Sequence, residues 1–556
     1  MTPGNEKGAF RKIWSDQLRI ALVYPNSYRL GMSNLGFQHV YRLLNSSDRF
    51  VAERFFLEPP VESKTRPKSL PKLLSLESSR PLRDFHVIAF SLPFENDYLN
   101  APLILNMGRV EPLSRNRSSS DPIVLAGGVS VSMNPEPLAA FMDLFHVGEI
   151  YDVEAPGGLF RLIAEIILEY GPGVDRDFLF ESLKQCPGVY IPSAYEFVSD
   201  GKGLIDSITV LDGYPEKIKA LKADWENCEM PRSVITSPDL EFSDTCLVEI
   251  NRGCSRKCRF CAAGWIHSPV RYRRFEAITP IINEAMASGL RLGLVGSDLA
   301  NHPQLQDIIA FILEGGGKFS LSSIRPEGMS EFMIDALLKT GQKTATLAPE
   351  TATPRMKNVI GKRIPPETFY GIIARLVEAG IPNIRLYFMI GLPVEKDDDV
   401  QEIVDFALEC RSIFVEASRK RGRIGVLSIQ VNPFIPKPWT PFQWSALIGK
   451  DSLERRIEIL RKGLGKVSNL SLRIEYGRDF LMQALLSRAD RNLGEALLGD
   501  TRPSKLTAQS LERAGVDVQR YVYRERGETE IFPWDIVDHG TDKKVLWKIY
   551  RDSLKS

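Results

Sequence analysis

The sequence predicts an α/β protein with two parallel-sheet regions in series. An amino-terminal doubly wound, Rossmann-like domain covers residues 1–170 and a partial (β/α)6 barrel covers 244–445, with a connecting region at 171–243 and a small, mainly helical carboxyl-terminal region at 446–556. Three observations lead there. Apolar runs of strand length alternate with helix-spaced segments in both halves. Glycine or polar residues stand at the carboxyl ends of those runs, where parallel α/β folds place their ligands. One run also delivers a loop with three closely spaced cysteines, Cys254, Cys258 and Cys261.

In the first domain the strands are LRIALVYP at 18–25, VAERFFLE at 51–58, FHVIAFSL at 85–92, PIVLAGG at 122–128 and LFHVGE at 144–149. Helical spacing falls at 34–44, 97–107 and 136–141. Gly127 and Gly128 follow one buried strand and Gly148 another, positions where a missing side chain lets a ligand approach the backbone. A helix at 158–170 leads into short strands near GVYIPS and SITVLDGY, and 215–244 reads as connection from its Pro, Gly and charged residues.

The second domain opens with TCLVEINRG at 245–253, which hands the chain to the cysteine loop at its carboxyl end. Further strands are expected at 291–298, 318–327, 343–350, 383–393 and 425–436, with helices such as 279–288 and 366–379 between them. Their ends read Gly296, Ser297, Asp298; Ser322, Ser323, Ile324, Arg325; Pro349, Glu350, Thr351; and Gly391, Leu392, Pro393. Polar groups at successive carboxyl ends converge on one mouth beside the cysteines. Trp439, Phe442 and Trp444 lie in a proline-punctuated extended segment and are read as packing residues. Amphipathic helices at 451–464 and 477–498 and a tail carrying Trp534 and Trp547 complete the chain.

Composition narrows the class. Lys and Arg (71) against Asp and Glu (70) leave +1, which gives no overall electrostatic case for a nucleic-acid or anionic-membrane protein. The exception is local: between residues 251 and 275 stand Arg252, Arg256, Lys257, Arg259, Arg271, Arg273 and Arg274, and no carboxylate. This stretch suits an anionic cluster or an acidic substrate, or is a solvated basic loop. Seven cysteines are too few and odd for a disulfide framework. Cys186, Cys228, Cys246 and Cys410 form no second CxxC pair, which disfavours zinc. The first residues have no apolar signal core and no run of 18 apolar residues occurs, so the expectation is a cytoplasmic protein without a membrane span.

CxxxCxxC is close enough for one loop to bring three thiolates to an inorganic centre. A cubane iron-sulfur cluster usually takes four thiolates, so three leave one iron open. That spacing in EINRGCSRKCRFCAAGW, with Phe260 before the last cysteine, resembles the radical S-adenosylmethionine (SAM) enzymes. The resemblance implies a 4Fe-4S cluster held by Cys254, Cys258 and Cys261 whose fourth iron is chelated by SAM, and an electron donor such as a reductase, flavodoxin or ferredoxin. LAPETATPRMKNVIGK, RLYFMIGLPVEKDDDV and VNPFIPKPWTPFQW look like later strand motifs of the same superfamily. By that analogy Ser297, Asp298, Ser322, Arg325, Glu350 and Gly391 are SAM-site candidates, although the family's second-strand GGE pattern is here Gly296, Ser297, Asp298.

SLESSRPLRDFHVIAFSL and AGGVSVSMNPEPLAAFMDLFHVGE look like the first domain of cobalamin-binding-type radical SAM proteins, in a functionally uncharacterised bacterial branch. This makes Gly127, Gly128 and Gly148 cobalamin candidates, with Tyr28, Arg29, Ser130 and Asn134 at the loop ends. The DxHxxG pattern that supplies an axial histidine is absent, the first turn reading YPNSYRLGMSN, so cobalamin would bind without a protein histidine on cobalt. His39, His86 and His146 sit in apolar surroundings and are read as packed. The resemblance implies radical hydrogen abstraction from an unactivated carbon, and methyl transfer where cobalamin is present. No catalytic residue or substrate follows. The alternatives are methylthio transfer to tRNA, disfavoured because no second cysteine triplet lies upstream, a cobalamin-dependent cyclase, and a non-catalytic cluster scaffold binding RNA through the basic loop.

Overall fold

The computed structural model describes residues 6–58, 72–201, 203–322, 325–498 and 506–555. The chain forms two compact units, neither of them continuous in sequence: the first takes Met1–Asp244, Leu485–Tyr521 and Thr529–Gly540, the second Thr245–Ala484, Val522–Glu528 and Thr541–Ser556.

The first unit is built on a six-stranded sheet: β1 (Leu18–Tyr24), β2 (Phe50–Phe56), β3 (Val87–Ser91), β4 (Ile123–Gly127), β5 (Leu144–His146) and β6 (Val189–Tyr190), in the order β2-β1-β3-β4-β5-β6. The first five strands run parallel and β6 pairs antiparallel at the edge. Almost every residue of β1 to β4 is buried, as a sheet covered on both faces requires. One cover is the helix Leu35–Ser46, started by the Asn34 side chain accepting from Phe37 N at 2.9 Å, which sets Phe37, Tyr41 and Leu44 against Leu18, Ile20 and Leu22. Strand order reverses between β1 and β3, the place where wound sheets open a ligand crevice. The hairpin β7 (Tyr195–Ser199) and β8 (Ile205–Val210) follows, and β9 (Ile218–Lys219) waits for a partner from the far end of the chain, β18 (Val537–Asp538).

The second unit contains all six expected strands, arranged in two sheets. β10 (Thr245–Arg252), β12 (Arg291–Gly296) and β13 (Phe319–Leu321) are parallel, with the short antiparallel β11 (Arg271–Tyr272) beside β10. β14 (Thr344–Glu350), β15 (Asn383–Ile390), β16 (Leu427–Pro433) and an unexpected β17 (Leu470–Ile474) form the other parallel sheet. Burial alternates strictly along β14 and β16, so one face looks inward and the other is only partly covered. The helices Pro366–Ala379 and Asp397–Lys420 cover the sheet through Phe369 and Phe406, whose rings meet edge to face at 5.9 Å, and Phe406 also meets Phe388 of β15. Trp439, Phe442 and Trp444 are core residues, Trp444 stacking on Tyr550 at 5.9 Å. Among the described residues no helix is long and apolar enough to cross a membrane.

Candidate active site

The cysteine loop begins where β10 ends, and its shape is forced residue by residue. Gly253 adopts φ +83, and a Cβ there would lie 2.5 Å from the His267 carbonyl oxygen, so only glycine enters this turn. Asn251, fully buried, donates through Nδ2 to the Gly253 carbonyl at 3.0 Å and accepts from the Asp298 backbone N–H at 2.7 Å. Asp298 sits at the end of β12 and is 2% exposed. Its Oδ2 accepts from the Ser255 N–H at 3.1 Å, the Ser255 hydroxyl at 2.7 Å and the Tyr272 hydroxyl at 3.3 Å, while Oδ1 accepts from Asn301 Nδ2 at 2.8 Å. Trp265 Nε1 donates to the Cys258 carbonyl at 3.1 Å. The loop is therefore pinned on both sides of Cys254 and at Cys258.

Cys254, Cys258 and Cys261 are free thiols, Cys258 buried and the other two half-buried. Burial pushes the Cys254 and Cys261 thiols up, and the charges of neighbouring cysteines push the same way: Cys258 acts on Cys254, and both act on Cys261. The three sulfurs thus share one small region. Among the described residues no group of three His, Cys, Asp or Glu side chains is placed to hold a single metal ion. Three separate thiols on one rigid loop, each able to take its own iron, fit a 4Fe-4S cluster with one iron left open.

The other strand ends contribute unequally. Arg325, after β13, brings Nη2 to 3.6 Å from Cys258 Sγ, a cation beside what becomes an anionic centre. Glu350 ends β14 at a bulge with φ +66, a left-handed conformation that a side chain adopts only under constraint. Its Oε1 accepts from Lys362 Nζ at 2.9 Å, Lys362 also donates to Ala348 O at 2.6 Å, and the Glu350 charge is felt at Cys261. Ser297 and Ser322 are exposed, the Ser322 hydroxyl donating to Gly296 O at 3.3 Å. Gly391 (φ +83) donates its N–H to Glu395 Oε2 at 2.6 Å and lies against the Ile448 side chain. Burial raises the Glu395 carboxyl to about 7 against the lowering pull of Arg456, which holds it at 2.6 Å. Ser323 and Ile324 lie outside the described residues. Asn251, Ser255, Trp265, Tyr272 and Lys362 were not among the candidates, because each acts through a partner 2 to 43 positions away that no local pattern marks.

The carboxyl edge of the wound sheet is occupied differently. Gly128 (φ +119) presses on Leu92 and Gly148 (φ +105) on Leu221, with backbone atoms 2.5 Å and 2.3 Å from where a Cβ would stand. Gly127 has ordinary contacts. The Ser130 hydroxyl donates to Leu92 O at 2.6 Å, and Asn134 Nδ2 donates to Ser487 O and Ala489 O at 3.2 and 2.9 Å. At the β1/β3 switch, Asn26 Nδ2 donates to Asp97 Oδ1 at 2.9 Å, Tyr28 OH to Glu6 Oε1 at 2.7 Å, and Arg29 to Glu241. Burial raises the Asp97 carboxyl to about 6. His146 is buried and held neutral by its surroundings, its pKa pushed down to about 4, and His86 is pushed down to about 4 by burial and by Arg19. Neither is at the first turn. These side chains do not fit an axial ligand set for cobalamin.

Two family models match the chain: the amino-terminal region of radical SAM proteins over residues 36–192 and the radical SAM superfamily over 248–407. The chain belongs to the radical SAM superfamily. An uncharacterised protein of Methanocaldococcus jannaschii is 27% identical over 491 residues, covering 88% of this chain and 92% of that one. The ribosomal protein uS12 methylthiotransferase RimO of Pelotomaculum thermopropionicum is 25% identical over 30% of this chain, which spans 40% of the methylthiotransferase. Among solved structures, the radical SAM methyltransferase TsrM of Kitasatospora setae, with cobalamin and a 4Fe-4S cluster bound, aligns with a TM-score of 0.48 at 12% identity over 77% of each chain. In this radical SAM protein, the second family match begins three residues into β10 and takes in the whole cysteine loop.

Proposed function

We propose that this protein is an enzyme that reductively cleaves SAM and directs the resulting radical to a carbon–hydrogen bond of its substrate. The observation that carries this reading is the loop at the end of β10, where three free thiols are pinned by Asn251, Asp298 and Trp265 with the Arg325 guanidinium at 3.6 Å from Cys258 Sγ. A bound 4Fe-4S cluster supplies the electron that splits the sulfonium bond into methionine and a 5′-deoxyadenosyl radical.

The chain's own residues hold and orient. Cys254, Cys258 and Cys261 are the cluster ligands. Asp298 fixes the position of Cys254 through Ser255, so its carboxylate works on the loop rather than on SAM. Arg325 offsets negative charge at Cys258 and is placed to pair with the methionine carboxylate. Lys362 keeps Glu350 ionised and oriented, leaving its second oxygen to accept from the ribose hydroxyls or the methionine ammonium. Ser297, Ser322 and the Gly391 backbone complete the mouth. Methyl transfer with cobalamin is the finer reading, supported by the wound sheet that precedes the barrel. The chain offers cobalt no axial ligand, and its share there is backbone and shape.

The test is anaerobic reconstitution with iron and sulfide, followed by dithionite and SAM. 5′-Deoxyadenosine is the expected product, and a full cluster without it, with or without candidate substrates, overturns the proposal. Repeating the reconstitution with hydroxocobalamin and measuring bound corrin decides the finer reading.

A further inference from the structure

Beside the cysteine loop the second unit carries a cavity of about 380 Å³ whose walls include Arg256, Lys257, Arg259, Arg325, Lys362 and Arg363. The one acidic residue among its walls is Glu327. This crowding is local, since the whole chain carries only +1. Six like charges in so small a space repel one another unless something neutralises them.

Half of these cations are already committed. Arg259 Nη1 donates to Asn358 O at 2.7 Å and Val359 O at 3.0 Å, capping the helix Pro354–Ile360. Lys362 is held by Ala348 O and Glu350, and Arg325 by Cys258. Lys257 lies over the Trp265 ring at 5.4 Å with its ammonium otherwise available. Arg256 and Arg363 are exposed, and among the described residues neither guanidinium has a hydrogen bond or ion pair. The basin thus has a braced interior and an uncommitted cationic rim.

We infer that this rim docks a small acidic electron-transfer protein of the flavodoxin type, with Arg256 and Arg363 as its principal contacts. The inference rests on the enzyme reading above and adds the partner and its landing place. Two considerations select a protein donor over nucleic acid. Arg256 and Lys257 belong to the loop that holds the cluster, so a donor seated on them faces the electron's destination by the shortest path through the chain. An RNA strand draws its affinity from roughly 6–10 neutralised phosphates, whereas this rim offers about three cations. Redox encounters are at the small, electrostatically steered end of protein interfaces, which a compact rim suits. One electron leaves the donor's flavin hydroquinone, giving the semiquinone and a proton to solvent, and reduces the oxidised cluster by one unit.

The experiment uses full-length reconstituted protein, a purified flavodoxin, and the variants Arg256→Glu, Arg363→Glu and their combination. Association with oxidised flavodoxin is measured by surface plasmon resonance across a salt series, and 5′-deoxyadenosine formation is measured with reduced flavodoxin and, separately, with dithionite. The expected result is that the double variant binds flavodoxin roughly tenfold or more weakly at low salt, loses most of the salt dependence and most flavodoxin-driven turnover, yet keeps its iron content and dithionite-driven turnover. Unchanged association in the double variant overturns the docking. So does a single-stranded RNA oligonucleotide that binds through these arginines while flavodoxin does not bind. If dithionite yields no 5′-deoxyadenosine in the unaltered protein, the enzyme reading fails, while the association series still decides the docking.

Discussion

The two parallel sheets end in opposite ways. At the carboxyl edge of the wound sheet, Ser130, Asn134, Asn26 and Tyr28 spend their polar atoms on the chain itself. At the corresponding edge of the second unit, three thiols stay unpaired, Glu350 is held in a left-handed backbone conformation, and Arg325 is aimed at a sulfur. The same fold logic places polar residues at both edges. What separates a reactive edge from a structural one is whether those groups find partners within the protein.

The sharpest way to break this contrast is at the cysteines. Cys258→Ala should lose nearly all bound iron after reconstitution and all SAM cleavage, both read by iron analysis and chromatography; retention of a full cluster would show that the ligands lie elsewhere. Next comes the Lys362–Glu350 pair, whose side chains are 8% and 15% exposed. Lys362→Met leaves a carboxylate buried without its partner and should cost up to about 3 kcal/mol of stability in urea unfolding, together with weaker SAM binding.

Asp298→Asn keeps the shape but weakens the bonds from Ser255 and Tyr272. Roughly tenfold lower iron affinity is expected, as for groups that orient a metal ligand, with an altered electron paramagnetic resonance signal in the reduced state. A change confined to the KM for SAM would return Asp298 to direct substrate contact. The smallest effect belongs to the wound sheet. Ser130→Ala removes the bond to Leu92 O and should cost about 1 kcal/mol of stability with SAM cleavage unchanged. Loss of bound cobalamin in that variant would show that the edge is not merely structural.

Much of this was legible in the sequence, for identifiable reasons. The cysteine loop is a local signature, and the wound sheet announces itself through uninterrupted apolar runs such as LRIALVY and IVLAG. β17 was missed because LSLRI is half-exposed along its length and lies between two amphipathic helices. Its period-2 alternation was the available signal. The part of Asp298 was hidden for a different reason: its position at a strand end was readable, but its partner Ser255 is 43 residues away. Gly128 and Gly148 matched the expectation of close approach, and the approaching group is the chain's own backbone.

The first unit closes only when β18 reaches β9, and those two strands are separated by almost the whole of the second unit. During synthesis at roughly 5–20 residues per second, β9 therefore waits tens of seconds for its mate to leave the ribosome. The amino-terminal half is made first yet finished last, and a ribosome stalled anywhere in between leaves it with an open seam for chaperones to guard.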